Sequence, residues 1–169
     1  MTLAAPIPAR DLLEAIRRAG VEFVVLVPDT HQRSLLALIE AADDLRVVRA
    51  STEDEAVAIC AGLIVGGRRP LLQIQHAGLF ACVNNLRGLA IDGQFPIVLL
   101  IGLLGRDPAR LPREHFGSMV RFTEPLLETL GIPYVLLDRP ADIERLPEAF
   151  QEAAARRGPV ALLVGMETA

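Results

Sequence analysis

Apolar positions along the chain follow two alternating rhythms. Over residues 9–19 they recur at helical spacing, with Leu12, Leu13 and Ile16 on one face and Gly20 as the stop signal. Residues 23–27, 70–75, 96–101, 134–137 and 160–164 are short runs that are wholly or nearly apolar, and 46–49 is a sixth, more polar strand candidate. The segments between them, 32–42, 54–65, 83–91 extended back to about 79, 120–130 and 143–156, keep the helical period. A strand apolar on both sides needs helices on both faces, because a half-exposed strand alternates. The expected fold is therefore three-layer α/β/α, a doubly wound, mainly parallel six-stranded sheet. With 169 residues and 51% hydrophobic content, one domain spanning 1–169 is expected.

Two interruptions of the pattern stand out. Pro28-Asp29-Thr30 breaks the first strand, and Asp29 or Thr30 is placed to cap the helix that follows. From 102 to 118 periodicity is lost in a polar loop containing Arg106, Asp107, Pro108, Arg110, Pro112, Arg113, Glu114 and His115. Loops of this length in compact domains tend to be functional or mobile.

A net charge of -4 with both signs mixed along the chain argues against nucleic acid or an anionic membrane as partner. Every one of the 17 basic residues is Arg, which excludes a lysine Schiff base and a Walker-type phosphate loop. Cys60 and Cys82 have no ligand-like spacing, so neither a zinc centre nor a redox motif is expected. Residues 1–8 lack the basic start and long apolar run of a secretory signal, and no apolar stretch is long enough to span a bilayer, so a cytoplasmic protein is expected.

The chemistry-bearing residues lie at strand-to-helix turns, where open α/β sheets keep their ligands. Glu53 opens the small-residue helix that reaches Gly62 nine positions later. Read alone, Glu53, Asp54 and Glu55 also fit the preference of acids for a helix's first turn. Gln75-His76-Ala77-Gly78-Leu79, with Asn84 downstream, follows a later strand, and Leu130-Gly131-Ile132-Pro133-Tyr134 leads into another.

Taken together, these elements resemble the pyrimidine-binding half of thiamine-diphosphate enzymes, in particular the small alpha subunit of sulfopyruvate decarboxylase and the matching domain of phosphonopyruvate decarboxylase, over nearly the whole chain. The resemblance implies that Glu53 is the catalytic carboxylate, held against the cofactor's aminopyrimidine N1'. It implies that Pro28, Gln75, Gly78, Leu79 and Asn84 contact the cofactor, with glycine letting the backbone approach closely. Asp29 and Thr30, in the Pro-Asp-Ser/Thr element, would face the substrate. His76 is a candidate proton donor or carboxylate contact, since imidazole titrates near neutral pH. His115 and Arg113 are candidates for a lid over an anionic substrate.

The chain departs from that pattern at His76 (Asn in the family), Ala77 (Ser), Phe80 (Gly) and Ala81 (Asn), which puts a sulfonate or phosphonate substrate in question. It also lacks the Gly-Asp-Gly and downstream Asn with which these enzymes hold diphosphate through Mg²⁺, and no metal ligands are assigned to it. A separate diphosphate-binding subunit carrying that motif is therefore the expected partner, with two copies of each chain and contacts through the apolar helices at 59–65 and 86–91. The expected activity is decarboxylation of a 2-oxoacid. A thiamine-dependent carboligase subunit and a non-catalytic α/β module are the alternatives, and a flavodoxin-like nucleotide binder lacks its Gly-rich loop.

Overall fold

The computed structural model describes residues 4–169; the first three residues of the N-terminal segment discussed above lie outside the described residues. Six strands, β1 (Phe23–Leu26), β2 (Arg46–Arg49), β3 (Pro70–Gln75), β4 (Val98–Gly102), β5 (Tyr134–Leu137) and β6 (Val160–Val164), form one sheet in the order β2-β1-β3-β4-β6-β5. Every pairing in it is parallel. The helices are α1 (Ala9–Arg18), α2 (Arg33–Glu40), α3 (Glu53–Val65), α4 (His76–Ala81), α5 (Val83–Asn85), α6 (Ser118–Thr129) and α7 (Arg145–Arg156).

Alternate residues of each strand feed two separate cores. On one face Val24, Leu26, Leu71, Leu100 and Leu162 pack with Leu12 and Ile16 of α1, Leu35 and Ile39 of α2 and Leu146 of α7. On the other, Val25, Leu72, Ile74, Leu99, Ile101 and Leu163 pack with Val57 and Cys60 of α3, Leu79, Leu86 and Leu127. This is the three-layer arrangement that the apolar strands require. Among the described residues no helix is long and apolar enough to cross a membrane. Burial pushes the thiols of Cys60 and Cys82 up to about 12. Neither should react with a maleimide at pH 8 in the native protein, both should react after unfolding, and fast labelling of the folded chain would contradict this packing.

Three elements differ from expectation. The helix after β3 begins at His76 rather than near Leu79, with extended Gln75 as its N-cap, and Gly78 lies inside it instead of in a turn. Residues Leu86–Asp92 wind as a π-helix, a form often found near functional sites. Neither Asp29 nor Thr30 caps α2 through its side chain; Gln32 is the N-cap residue, and Asp29 bonds instead to the amide of His31.

The loop from Leu103 to Gly117 is tied down rather than free. Arg106 forms a two-pronged ion pair with Asp138, its Nη2 2.8 Å from Oδ2, and lies 8% exposed. Arg113 reaches Glu124, Glu128 and Tyr134. Its cation is thereby committed to α6 and β5, which does not favour the lid role expected for it. Replacing Arg106 by Met should destabilise the fold by about 3 kcal/mol, because Asp138 would keep its charge without a partner. Equilibrium urea denaturation measures this, and a loss below about 1 kcal/mol would show the pair to be dispensable.

Candidate functional site

Parallel pairing brings the carboxyl ends of all six strands to one edge. Leu26 is in register with Gln73, Gln75 with Gly102, and Gly102 with Val164. The turns that follow these strands therefore converge there, and they carry nearly all the residues singled out from the sequence.

Glu53 begins α3. The cap of that helix is made by its neighbours: the Glu55 amide donates to Thr52 Oγ1 at 3.3 Å, and the Glu55 carboxylate accepts from the Ser51 amide at 2.7 Å. The half-buried Glu53 carboxylate takes no part in this cap and has no hydrogen-bond or ion-pair partner among the described residues. Its neighbour across the turn is Gly78, where a Cβ would stand 2.5 Å from Glu53 Oε1 and 2.7 Å from Cδ. Only glycine leaves room for the carboxylate there. The helix-dipole explanation covers Glu55, then, and leaves Glu53 without a structural task.

Asp29 is 4% exposed and acts as a hub. Its Oδ1 accepts from the His31 amide at 2.8 Å and from Gln75 Nε2 at 3.0 Å, and its Oδ2 from Gln32 Nε2 at 2.9 Å. Gln75 is thus oriented by Asp29, while Pro28 and Thr30 are exposed. Gly102 completes the hub: a Cβ there would lie 3.0 Å from His31 Cδ2 and collide with Asp29 Oδ2. Leu79 is wholly buried in the core on the α3 side. Asn84 is exposed and its Oδ1 accepts from Arg87, so its side chain is committed to the surface of its own helical segment; Asn85 instead donates to the Asp54 carbonyl at the start of α3.

Two histidines face this edge. His76 is 5% exposed and its Nε2 donates to the Leu104 carbonyl at 3.1 Å; His31 is 2% exposed and its Nε2 donates to the Val164 carbonyl at 2.9 Å. In each ring Nδ1 is then the buried, unpartnered acceptor. Burial depresses the pKa of both, so both rings are neutral at pH 7. The carboxylate of Asp29, and the rings of His31 and His115 when protonated, are close enough to influence His76, so His115 belongs to the same neighbourhood. His115 Nδ1 accepts from the Gly117 amide at 3.0 Å. Sequence reasoning missed the buried roles of His31 and Gln32, whose bonds to the Val164, Ile74 and Leu100 carbonyls join distant strands, and the Arg106–Asp138 pair, whose members lie 32 positions apart.

Because the folded state disfavours protonated His31 and His76, the unfolded chain binds more protons below the free imidazole value near 6.5. Stability is complete above that value and is lost as pH falls toward the lowered folded values, by about 1.4 kcal/mol per histidine per pH unit within that window. Burial of Glu124 raises its carboxyl and acts with the opposite sign, at lower pH. Tm should therefore drop between pH 7 and pH 5, and less in His31→Gln; a pH-independent Tm over that range would contradict the assignment.

The all-parallel six-stranded sheet covered on both faces is the fold expected from the sequence. The structure of benzoylformate decarboxylase from Polynucleobacter necessarius shares it, with a TM-score of 0.70 at 22% identity, over 94% of this chain and 30% of that one. No protein-family model matches the chain. In sequence it is 29% identical to sulfopyruvate decarboxylase subunit alpha of Methanococcus maripaludis over 89% of this chain and 90% of that protein. The corresponding subunit of Methanocaldococcus jannaschii is 29% identical over 72% and 71%. Phosphonopyruvate decarboxylase of Streptomyces hygroscopicus is 29% identical over 89% of this chain but only 38% of its own length. The chain is similar in sequence to these decarboxylases, and matches the alpha subunits along most of their length and the longer enzyme along 38% of it.

Proposed function

We propose that this chain is the cytoplasmic, pyrimidine-binding subunit of a thiamine-diphosphate-dependent 2-oxoacid decarboxylase, a single domain over 1–169 whose active site is completed by a separate diphosphate-binding subunit. The observation that carries this reading is the Glu53 carboxylate, half-buried, left out of the helix cap and set against the one residue that leaves it room. A free carboxylate beside a surface without a Cβ fits a flat heteroaromatic ring that offers a protonated nitrogen. When bound, thiamine diphosphate supplies the carbon nucleophile and electron sink that loss of CO₂ requires.

The chain's own residues have defined tasks in this reading. Glu53 holds the proton at the aminopyrimidine N1'. Gly78 lets the ring approach, and Gln75, oriented by Asp29, lines the cleft together with Pro28 and Thr30. His76, neutral and anchored through Nε2 to the Leu104 carbonyl, stands beside the cleft as the candidate substrate contact, with His115 near it. Mg²⁺ and diphosphate fall to the partner subunit, through a Gly-Asp-Gly…Asn motif.

The outer face of α3 supports a shared site. Ala58, Gly62 and Val65 are exposed and Ile59, Leu63 and Ile64 only half-buried, next to Leu89 and Ile91 of the π-helix. A helix apolar on all sides is one that expects a cover on its outer face as well. We assign this face to the partner and expect two copies of each chain in the assembly. Calorimetric titration tests the division of labour: thiamine diphosphate with Mg²⁺ should bind the mixed subunits tightly and this chain alone at least about 100-fold more weakly, a difference of ~2.7 kcal/mol. Tight binding by the isolated chain would overturn it.

A further inference from the structure

The side chain of Gln75 has one committed end and one free end. It closes β3 and is the N-cap residue of α4, where a side-chain oxygen ordinarily accepts from the first amides of the helix, yet it makes no such bond. Its Nε2 donates instead to Asp29 Oδ1 at 3.0 Å, and its Oε1 has no partner among the described residues. The unpartnered side-chain atoms that are sealed from solvent belong to His31, Gln32, Gln73, His76 and Arg106, so the oxygen of half-buried Gln75 is open at the carboxyl edge of the sheet. We infer that Asp29 is a positioning residue: it holds the Gln75 amide with its oxygen outward, so that the site presents a hydrogen-bond acceptor at the end of β3 and receives a ligand group that donates. The inference rests on the decarboxylase reading above and deepens it by naming the polarity of one contact.

The two ends of an amide are alike in shape, so their neighbours decide which faces where. Three N–H groups converge on Asp29, from the His31 amide at 2.8 Å, Gln32 Nε2 at 2.9 Å and Gln75 Nε2 at 3.0 Å. A carboxylate receiving three donors acts as an acceptor throughout, and turning the Gln75 amide over would set oxygen against oxygen. The carboxylate is itself held in place. Gln32 also donates to the Ile74 carbonyl of β3 at 3.3 Å, and a Cβ at Gly102, the last residue of β4, would collide with Asp29 Oδ2. At 4% exposure Asp29 reaches a ligand only through Gln75.

An acceptor fixed in this way selects by polarity. A group that only accepts, such as a carbonyl or an ionised acid, would meet the Gln75 oxygen with no proton between them, whereas an N–H or O–H gains a bond. In the decarboxylase reading the donor comes from one of two sources, an N–H of the cofactor's aminopyrimidine or an O–H or N–H of the substrate. The chemistry read by Gln75 is the same in both.

Two substitutions test this. Gln75→Lys keeps a donor for Asp29 and removes the acceptor. In the assembled enzyme it should raise either Kd for thiamine diphosphate with Mg²⁺ or KM for the acid turned over fastest among pyruvate, sulfopyruvate and phosphonopyruvate, by about three- to tenfold, the worth of one hydrogen bond. A raised Kd puts the donor on the cofactor, and a raised KM with native Kd puts it on the substrate. Gln75→Glu sets two carboxyl groups face to face. In the full chain the pair should show a titration well above the usual glutamate value of about 4.3, read by ¹³C NMR. Activity of this variant relative to the native enzyme should rise as pH falls through that titration, because the protonated carboxyl donates to Asp29 and leaves an oxygen outward. His31 and His76, the titratable neighbours of Asp29, are present in both proteins, so the ratio isolates position 75. Native Kd and KM in Gln75→Lys, or a pair in Gln75→Glu that titrates at the ordinary value, would overturn the inference and leave the decarboxylase standing. If the native enzyme turns over none of the three acids, the decarboxylase reading fails, and the carboxyl titration in the chain alone still decides whether Asp29 holds residue 75.

Discussion

Glu53→Gln should lower turnover in the assembled enzyme by about 10³-fold or more while leaving assembly and stability intact. A proton-handling group at the reacting centre contributes ~10²–10⁴-fold, and glutamine keeps the shape while losing the charge that holds the N1' proton. Stability should hold because Thr52 and Glu55 make the helix cap and the Glu53 carboxylate lies outside it, so the change should stay within about 0.5 kcal/mol. Thr52→Ala supplies the converse control, costing about 1 kcal/mol of stability through loss of the cap with little effect on the chemistry. Steady-state kinetics on the reconstituted enzyme, with thermal melts of each variant, separate the two effects. Full activity in Glu53→Gln would transfer the chain to the non-catalytic reading that the departures at His76, Ala77, Phe80 and Ala81 first suggested.

The second large effect is expected at a residue with no functional group. Gly78→Ala would put a methyl 2.5 Å from Glu53 Oε1, well inside van der Waals contact, so the carboxylate must swing away. Displacement of a catalytic group by about 1 Å can cost ~10²-fold in rate. Gly78 lies inside α4, where alanine is otherwise the better helix former, so stability should hold or rise slightly. The signature is thus a folded, assembled and nearly inactive enzyme. Retained kcat with only a raised KM would mean that Glu53 tolerates the displacement, and would weaken its assignment.

How much of this was legible in the sequence differs from residue to residue. β2, β3, β5 and β6 have the bounds read from the apolar runs, because Gly, Pro or charged residues punctuate every end but that of β3, which closes on Gln75-His76. α4 starts three residues before the sequence suggests, because Gly78 reads as a breaker, while in the structure it leaves space for a side chain 25 positions earlier in the chain. The π-helix was invisible because over seven residues an apolar period cannot separate α from π winding. The polar loop after β4 reads as a functional or mobile segment; its anchor, Arg106 to Asp138, joins residues 32 positions apart and has no local signal. Within the site, the family pattern pointed to Glu53. That Glu55 rather than Glu53 serves the cap could be learned only from the arrangement of side chains, because three adjacent acids satisfy the same helix-end electrostatics.

The most direct measurement of the central claim is reconstitution. The tagged chain is purified gently from its native host, co-eluting chains are identified by mass spectrometry, and CO₂ release from 2-oxoacids is assayed with and without thiamine diphosphate and Mg²⁺. The account predicts a stoichiometric partner carrying Gly-Asp-Gly and a downstream Asn, and cofactor-dependent CO₂ release only when both chains are present. A chain that elutes alone, and a mixture that releases no CO₂ with cofactor supplied, would contradict it.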